Sequence, residues 1–263
     1  MPRAPLKYHK ENQVKQNTFS IITPVCNRAI EIEDCITSVL RQTYPYWELI
    51  IVDDNSNDTT WEVIEKWMKK DKRIKGIRLD KHSQRAKARN AGMKAAKNDW
   101  ICWLDSDDEY LKTYLEVLNS YMVDDFPGYK CYHYGATVVR MGRQSVRDTF
   151  DLKEEGEGMA KFDSGHIGSG SFCFHKDCLK EVGYLPDEIN PYLFADVAKK
   201  EFPELKEWFG PLYLEGGNSL GNPWGDDYLM FYKITRKFKS KALPIAPYIQ
   251  FVRRQQFSFQ PIP

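Results

Sequence analysis

Apolar residues along this chain recur with two periods, and the alternation between them lays out a fold. Phe19-Ser20-Ile21-Ile22-Thr23-Pro24-Val25 is a short, mostly apolar run, as expected of a strand covered on both faces. Pro24 has no N–H to donate, so the strand should end near it. From Ile30 to Gln42 the period becomes helical, with Ile32, Ile36, Val39 and Leu40 on one face, and Tyr44-Pro45 stops the helix. Trp47 to Val52 predicts a second strand. Asp58 or Thr59 can cap the next helix, whose buried stripe is Trp61, Ile64 and Trp67 or Met68. Ile74 to Leu79 predicts a third strand and Trp100 to Leu104 a fourth. Between them Arg85 to Lys97 is an Ala-rich helix, in which Ala88, Ala91, Gly92 and Ala95 permit close packing on a sheet. Strand and helix alternating in this way predict an α/β fold, a mostly parallel sheet with helices on both faces.

The second half is less regular. Leu111 to Met122 reads as an amphipathic helix, Tyr129 to Arg140 as a strand, and Met141-Gly142-Arg143-Gln144 as a hairpin turn. Ile167 to Phe174 is a Gly/Ser stretch running into an apolar strand, and Cys178 to Val182 a short helix ended by Gly183. Asn190 to Gly221 is interrupted by Pro and Gly. A further helical run opens at Trp224-Gly225-Asp226-Asp227, and Tyr248 to Pro263 is irregular.

Composition narrows the functional classes. Lys and Arg total 38 against 37 Asp and Glu, a net charge of +1, which argues against a nucleic-acid partner. Six cysteines without a C-x-x-C pair or zinc-finger spacing suit a reduced, cytoplasmic protein. No apolar run is long enough to span a bilayer, and no signal peptide is expected. The Lys-rich residues 1–18 read as a flexible tail. Their charge could also touch the inner face of an anionic membrane.

Candidate chemistry lies in the loops after strands two and four, Asp53-Asp54 and Asp105-Ser106-Asp107-Asp108. Carboxylates this close must be relieved by a counter-charge, by protonation or by a cation. Oxygen-only ligands suit Mg²⁺ or Mn²⁺ better than Zn²⁺. Either loop alone reads equally as a turn capped by solvated Asp. In a sheet of this kind, however, ligands bind beyond the carboxyl ends of the strands, where both loops belong.

The ordered motifs Ile22-Thr23-Pro24-Val25-Cys26-Asn27-Arg28, Arg41-Gln42-Thr43-Tyr44-Pro45, Ile51 to Thr59, Ala88-Arg89-Asn90-Ala91-Gly92 and Leu104-Asp105-Ser106-Asp107-Asp108 resemble the family 2 glycosyltransferases with a GT-A fold. Val182 to Pro186 and Trp224 to Asp227 resemble that family's acceptor-side motifs. The resemblance implies a mostly parallel central sheet flanked by helices, with a smaller acceptor-side region. It divides the chain into a nucleotide-sugar half at 19–122, an acceptor half of the same domain at 123–247, and a tail or lid at 248–263. Arg253-Arg254-Gln255-Gln256 does not match the Gln-x-x-Arg-Trp element of processive synthases, and a separate hypothesis is that Arg253 and Arg254 fold over the donor phosphates as a lid.

The implied reaction is inverting, non-processive sugar transfer from a nucleotide diphosphate donor, with a UDP-sugar fitting best. The acceptor would be a hydroxyl of a glycan, a lipid-linked glycan or a protein, and the implied cofactor is Mn²⁺ or Mg²⁺. Asp54 then matches the base-binding position, and Pro24 and Cys26 line the base. The family usually has Tyr where this chain has Cys26, so base stacking must come from elsewhere. Arg89 matches a donor-binding position. Arg28 lies beside the first strand's end and reads equally as a surface ion pair. The family often has a Gly-containing loop where this chain has Lys81-His82-Ser83-Gln84, with His82 read as a solvated loop residue. Asp107 is favoured as metal ligand over Asp108, with Asp105 nearer the ribose or a metal-bound water.

Asp227 is the implied general base. Asp226 stands where the family usually has Glu, although both residues could simply cap a helix. Gly168 and Ser169 could form a backbone wall beneath the sugar, or a plain loop. Trp224 could stack on a sugar ring, or be core. The competing readings are a non-catalytic nucleotide-sugar-binding protein and an Asp-nucleophile phosphatase.

Overall fold

The computed structural model describes residues 16–125, 128–140, 143–147, 169–186, 226–243 and 248–252. In chain order the elements are β1 (Phe19–Val25), α1 (Glu31–Leu40), β2 (Trp47–Asp53), α2 (Thr60–Lys70), β3 (Ile74–Arg78), α3 (Gln84–Ala95), β4 (Trp100–Trp103), β5 (Glu109–Tyr110) and α4 (Tyr114–Ser120). They continue with β6 (Cys131–Tyr134), β7 (Ala136–Arg140), β8 (Arg143–Arg147), β9 (Phe172–His175), α5 (Cys178–Val182), α6 (Asp226–Thr235), β10 (Ser240–Leu243) and β11 (Tyr248–Val252). A seven-stranded sheet runs β10-β6-β9-β4-β1-β2-β3. Within it β9 runs antiparallel to both its neighbours, and the other pairings are parallel.

The near-continuous apolar runs are explained by burial on both faces. Phe19, Ile21, Val25, Leu49 and Ile51 face one way and pack with Ile32, Ile36 and Val39 of α1 and Ile64 of α2. On the opposite face, Ile22, Ile101 and Trp103 meet Ala86 and Met93 of α3 and Phe231 and Ile234 of α6. Gly92 lies at the closest approach of α3 to the sheet, where a Cβ would come within 2.4 Å of Ile22 Cγ2. The expectation of small residues under this helix is met at Ala88 and Gly92, both buried.

As expected, β1 ends near Pro24, one residue on at Val25. The backbone of Pro24 faces the β4 edge, and the β1–β4 ladder already stops at Ile22↔Trp103, so no ladder donor is missed there. Residues 17 and 18 depart from the tail expected at 1–18. Thr18 O accepts from Trp100 N at 3.0 Å, and Asn17 O accepts from the Tyr44 hydroxyl at 2.7 Å.

The strand expected from Tyr129 to Arg140 divides at Gly135. β6 joins the large sheet, and β7 joins a second sheet ordered β5-β11-β7-β8. The hairpin is present, with Arg140 opposite Arg143. Residues 248–252 form β11, not irregular chain, and Tyr248 pairs with Tyr110 of β5. Because β5 directly follows the Asp105–Asp108 loop, the small sheet is attached at the rim where that loop lies.

Candidate active site

The loops after β1, β2, β3 and β4 leave the sheet at its carboxyl edge and touch one another there. Asp54 N donates to Val25 O at 2.8 Å and Leu104 N donates to Ile22 O at 3.1 Å, so both acidic loops start alongside β1. Between them runs the short segment Cys26-Asn27-Arg28. Cys26 Sγ donates to Asp54 O at 3.6 Å, Asn27 N to Ser56 Oγ at 2.9 Å, and Arg28 Nη1 lies 3.1 Å from Asp107 Oδ2. Cys26 and Asn27 meet the β2 loop, and Arg28, the next residue, meets the β4 loop. Asp54 and Asp107 are therefore linked across β1.

The two residues at the end of β2 differ in role. Asp53 is fully buried. It accepts from Ser56 N at 3.2 Å and from the Ser56 hydroxyl, and pairs with Arg78 Nε at 3.2 Å, which closes the turn. Asp54 reaches across to α3. Its Oδ1 accepts from Ser83 N at 2.7 Å and its Oδ2 from Gln84 N at 2.9 Å. Ser83 makes no side-chain cap and the first turn of α3 carries no acidic residue, so Asp54 supplies the capping oxygen and the negative charge from outside the helix. His82 Nδ1 also lies 2.9 Å from Asp54 Oδ2. The reading of His82 as a solvated loop residue is thus incomplete, since its ring is exposed but tied to Asp54. Burial, together with the carboxylates of Asp54, Asp53 and Asp58, pushes the Cys26 thiol up, which keeps it a donor.

Beyond β4 the counter-charges are arginines. Arg89 on α3 is fully buried; its Nη2 donates to Asp105 Oδ1 at 2.8 Å, and its guanidinium lies 4.5 Å from the Trp103 ring centroid. Arg28 is partly buried and pairs with the nearly buried Asp107, so the surface ion pair read for Arg28 has its partner inside the acidic loop. Asp108 is 2% exposed, and its N–H donates to Asp105 O at 3.0 Å. Beneath the loop, Cys35 Sγ donates to Asp105 O at 3.7 Å, and burial raises that thiol well above its ordinary range.

Among the described residues, three non-glycine residues have left-handed backbones: Asn27 and Asn55 in the loops after β1 and β2, and Gln84 where the loop after β3 enters α3. Clustering of strained residues is a mark of a functional site. Among the described residues, no three His, Cys, Asp or Glu side chains form a ready-made metal cage. A Mg²⁺ or Mn²⁺ ion does not need one, because one or two carboxylates plus substrate phosphates suffice. The oxygen-only donors of the Asp105–Asp108 loop fit that chemistry.

Pro24 is buried within β1. Asp226 and Asp227 open α6, as expected of a helix start, and Ser169 opens a 3₁₀ turn at Ser169–Ser171. Gly168, Trp224, Arg253 and Arg254 lie outside the described residues.

Comparison with known proteins extends this description. Residues 20–183 match the model for Glycosyl transferase family 2. An uncharacterized glycosyltransferase of Haemophilus influenzae is 31% identical over 183 residues, covering 62% of this chain and 72% of that protein. TuaG of Bacillus subtilis is 40% identical over 115 residues, 42% of this chain and 46% of TuaG. The Escherichia coli UDP-Glc:alpha-D-GlcNAc-diphosphoundecaprenol beta-1,3-glucosyltransferase WfgD is 41% identical over 105 residues, 40% of each chain. Against TuaG and WfgD the match spans less than half of the relative's length. The structure of S. aureus TarS in complex with UDP-GlcNAc superposes with a TM-score of 0.65 at 20% identity, over 90% of this chain and 59% of that one. A Pyrobaculum calidifontis mannosyltransferase in complex with GDP-Man and Mn²⁺ gives 0.59 at 12% identity, over 94% of this chain and 62% of that one. These likenesses identify the fold as GT-A. By its family match and its fold, the chain belongs to Glycosyl transferase family 2.

Proposed function

We propose that the protein is an inverting glycosyltransferase that moves a sugar from a nucleotide diphosphate donor, best a UDP-sugar, to a hydroxyl of a glycan, lipid-linked or protein acceptor. The observation that carries this reading is the linkage of Asp54 and Asp107 through Cys26 and Arg28 at the carboxyl edge of β1, β2 and β4. A base-binding carboxylate and a diphosphate-binding acidic loop would then lie on one rim, joined by three consecutive residues. The choice of UDP is supported by the names of two related proteins, WfgD, whose donor is UDP-Glc, and TarS, found with UDP-GlcNAc.

In this mechanism Asp54 accepts from the donor's base, and Arg89 and Arg28 hold positive charge near the diphosphate. Asp107, with Asp105 or Asp108 beside it, would hold Mg²⁺ or Mn²⁺. That ion supplies Lewis-acid neutralisation of the leaving diphosphate. Asp227 takes the proton from the acceptor hydroxyl as it attacks the oxocarbenium-like anomeric carbon from the opposite face. Asp226 contacts the donor sugar or acceptor, Gly168 and Ser169 line the sugar from below, and Trp224 stacks on a sugar ring. Six free cysteines, five of them buried, suit a reducing compartment such as the cytoplasm. Among the described residues no helix is long and apolar enough to cross a membrane, and contact with a membrane face would be peripheral.

The test is release of UDP from a panel of UDP-sugars by purified protein with Mn²⁺, with and without acceptors. Turnover is expected, and Asp227→Asn should lower it by at least about a hundredfold. Absence of release from every nucleotide sugar would overturn the proposal. UDP binding without turnover, unchanged in Asp227→Asn, would favour a non-catalytic binding protein.

A further inference from the structure

His82 is exposed yet fixed. Its side chain is 65% exposed, and its recorded contacts all run through Nδ1. These lie at 2.9 Å to Asp54 Oδ2, 3.2 Å to Asp54 O and 3.7 Å to Cys26 Sγ. Both Asp54 oxygens are acceptors, so Nδ1 carries the hydrogen, and in the neutral ring Nε2 is left as an acceptor. A flexible loop histidine would lose rotamer freedom on meeting a ligand. This one has already lost it to Asp54, and such preorganisation favours binding.

Cys26 is what makes room for the ring. A thiol at this position leaves the imidazole edge in contact with it, where a bulky side chain would compete for the same space. The absence of an aromatic residue at position 26 and the presence of a fixed aromatic ring beside it are thus two sides of one arrangement. Asp54 has about four acceptor positions. Ser83 N, Gln84 N and His82 Nδ1 occupy three, so about one remains for an N–H of a planar ligand lying against the ring.

We propose that His82 is the base-stacking residue of this site: the imidazole packs its face on the nucleobase of the donor, while Asp54 both fixes the ring and accepts from the base. The ligand class is a nucleoside diphosphate whose base carries a ring N–H, and uracil fits. The inference deepens the glycosyltransferase reading and rests on it.

Calorimetry of the full chain with UDP and Mn²⁺ tests the assignment, alongside thermal unfolding of each variant. His82→Ala should bind UDP about tenfold more weakly, the effect expected for loss of one base–aromatic stack. His82→Phe, which keeps a ring but not the hydrogen bond, should stay within about threefold of wild type. His82→Gln, which can reach Asp54 but has no ring, should resemble His82→Ala. Wild-type affinity in His82→Ala would overturn the proposal, as would a Gln variant that binds well beside a Phe variant that does not. If His82→Ala fails to fold, the Phe and Gln pair decides alone, since both retain bulk. A wild-type protein that binds no nucleoside diphosphate would refute the donor-site reading itself, a different failure from wild-type binding that ignores His82.

Discussion

Asp54 after β2 and the carboxylates Asp105 and Asp107 after β4 sit on one rim and are held by different means. Asp54 is held by two backbone N–H groups and an imidazole. Asp105 and Asp107 are held by the guanidinium groups of Arg89 and Arg28. Backbone donors at a helix start cannot be withdrawn without unwinding the first turn of α3, so Asp54 is a fixed feature of the fold. Arg28, 30% exposed, can swing away and leave Asp107 to another cation, whereas Arg89 is fully buried against Trp103 and holds Asp105 in place. The contrast is between a fixed carboxylate at Asp54, a buried ion pair at Asp105 and a partly exposed one at Asp107.

The largest effect should come from Arg89→Ala. It leaves Asp105 without its buried partner and opens space against Trp103. Removing one partner of a buried pair costs about 3–5 kcal/mol, and the partial exposure of Asp105 places this variant near about 3 kcal/mol. Urea unfolding measures it. A cost below about 1 kcal/mol would show that the Arg89 pair behaves like a surface contact and would erase the contrast between the two arginines.

Asp54→Ala comes next, at about 0.5–2 kcal/mol, the cost of losing a helix N-cap, because the part-buried N–H groups of Ser83 and Gln84 lose their acceptor. Most of this is lost hydrogen bonding to neutral groups, so the cost should be nearly the same at 50 mM and 500 mM salt, as approximate test points chosen on either side of the 10 Å screening regime. Arg28→Ala should behave in the opposite way. Arg28 retains 30% side-chain exposure, so its pair with Asp107 should contribute under about 1 kcal/mol at low salt and almost nothing at high salt. Equal salt dependence in the two variants would break the comparison.

The sequence made the rim legible because strand ends and acidic residues are local features. Asp54, Asp105 and Asp107 could be located from two apolar runs and the rule that ligands gather beyond strand ends. The links among them are not local. Arg28 and Asp107 are far apart in the chain, and nothing in the periodicity of either segment pairs them. The polar neighbours of His82 imply an exposed ring, which it has, and say nothing of a partner. Its attachment to Asp54 depends on β3 lying next to β2, which puts the loop after β3 beside the loop after β2. The only advance signal was the missing aromatic at position 26. β11 does carry a local signal, since Tyr248-Ile249-Gln250-Phe251-Val252 is aromatic and β-branched at all but Gln250, but its partners, Tyr110 and β7, are set by the fold. The split of β6 from β7 had a signal in Gly135, a residue that often marks a bend within a strand.

The smallest expected effect concerns Gln84, which has φ of 72° at the position from which its N–H reaches Asp54. Left-handed backbone costs an ordinary L-residue about 1–2 kcal/mol. Asn27 and Asn55 share this conformation, but asparagine tolerates it through local side-chain hydrogen bonding, whereas the longer glutamine has no such advantage. Gln84→Gly removes that cost and adds about 0.5–1 kcal/mol of chain entropy lost on folding. The net expectation is a gain of roughly 0.5 kcal/mol, read as a small rise in the urea midpoint. The bonds that hold Asp54 come from the backbone of Ser83 and Gln84, so a glycine can make them unchanged, and UDP affinity should stay within about twofold of wild type. A variant that is more stable but binds UDP much more weakly would mean that the stiff backbone at Gln84 helps to hold His82. The rigidity of the β2 side would then belong to the loop as well as to Asp54.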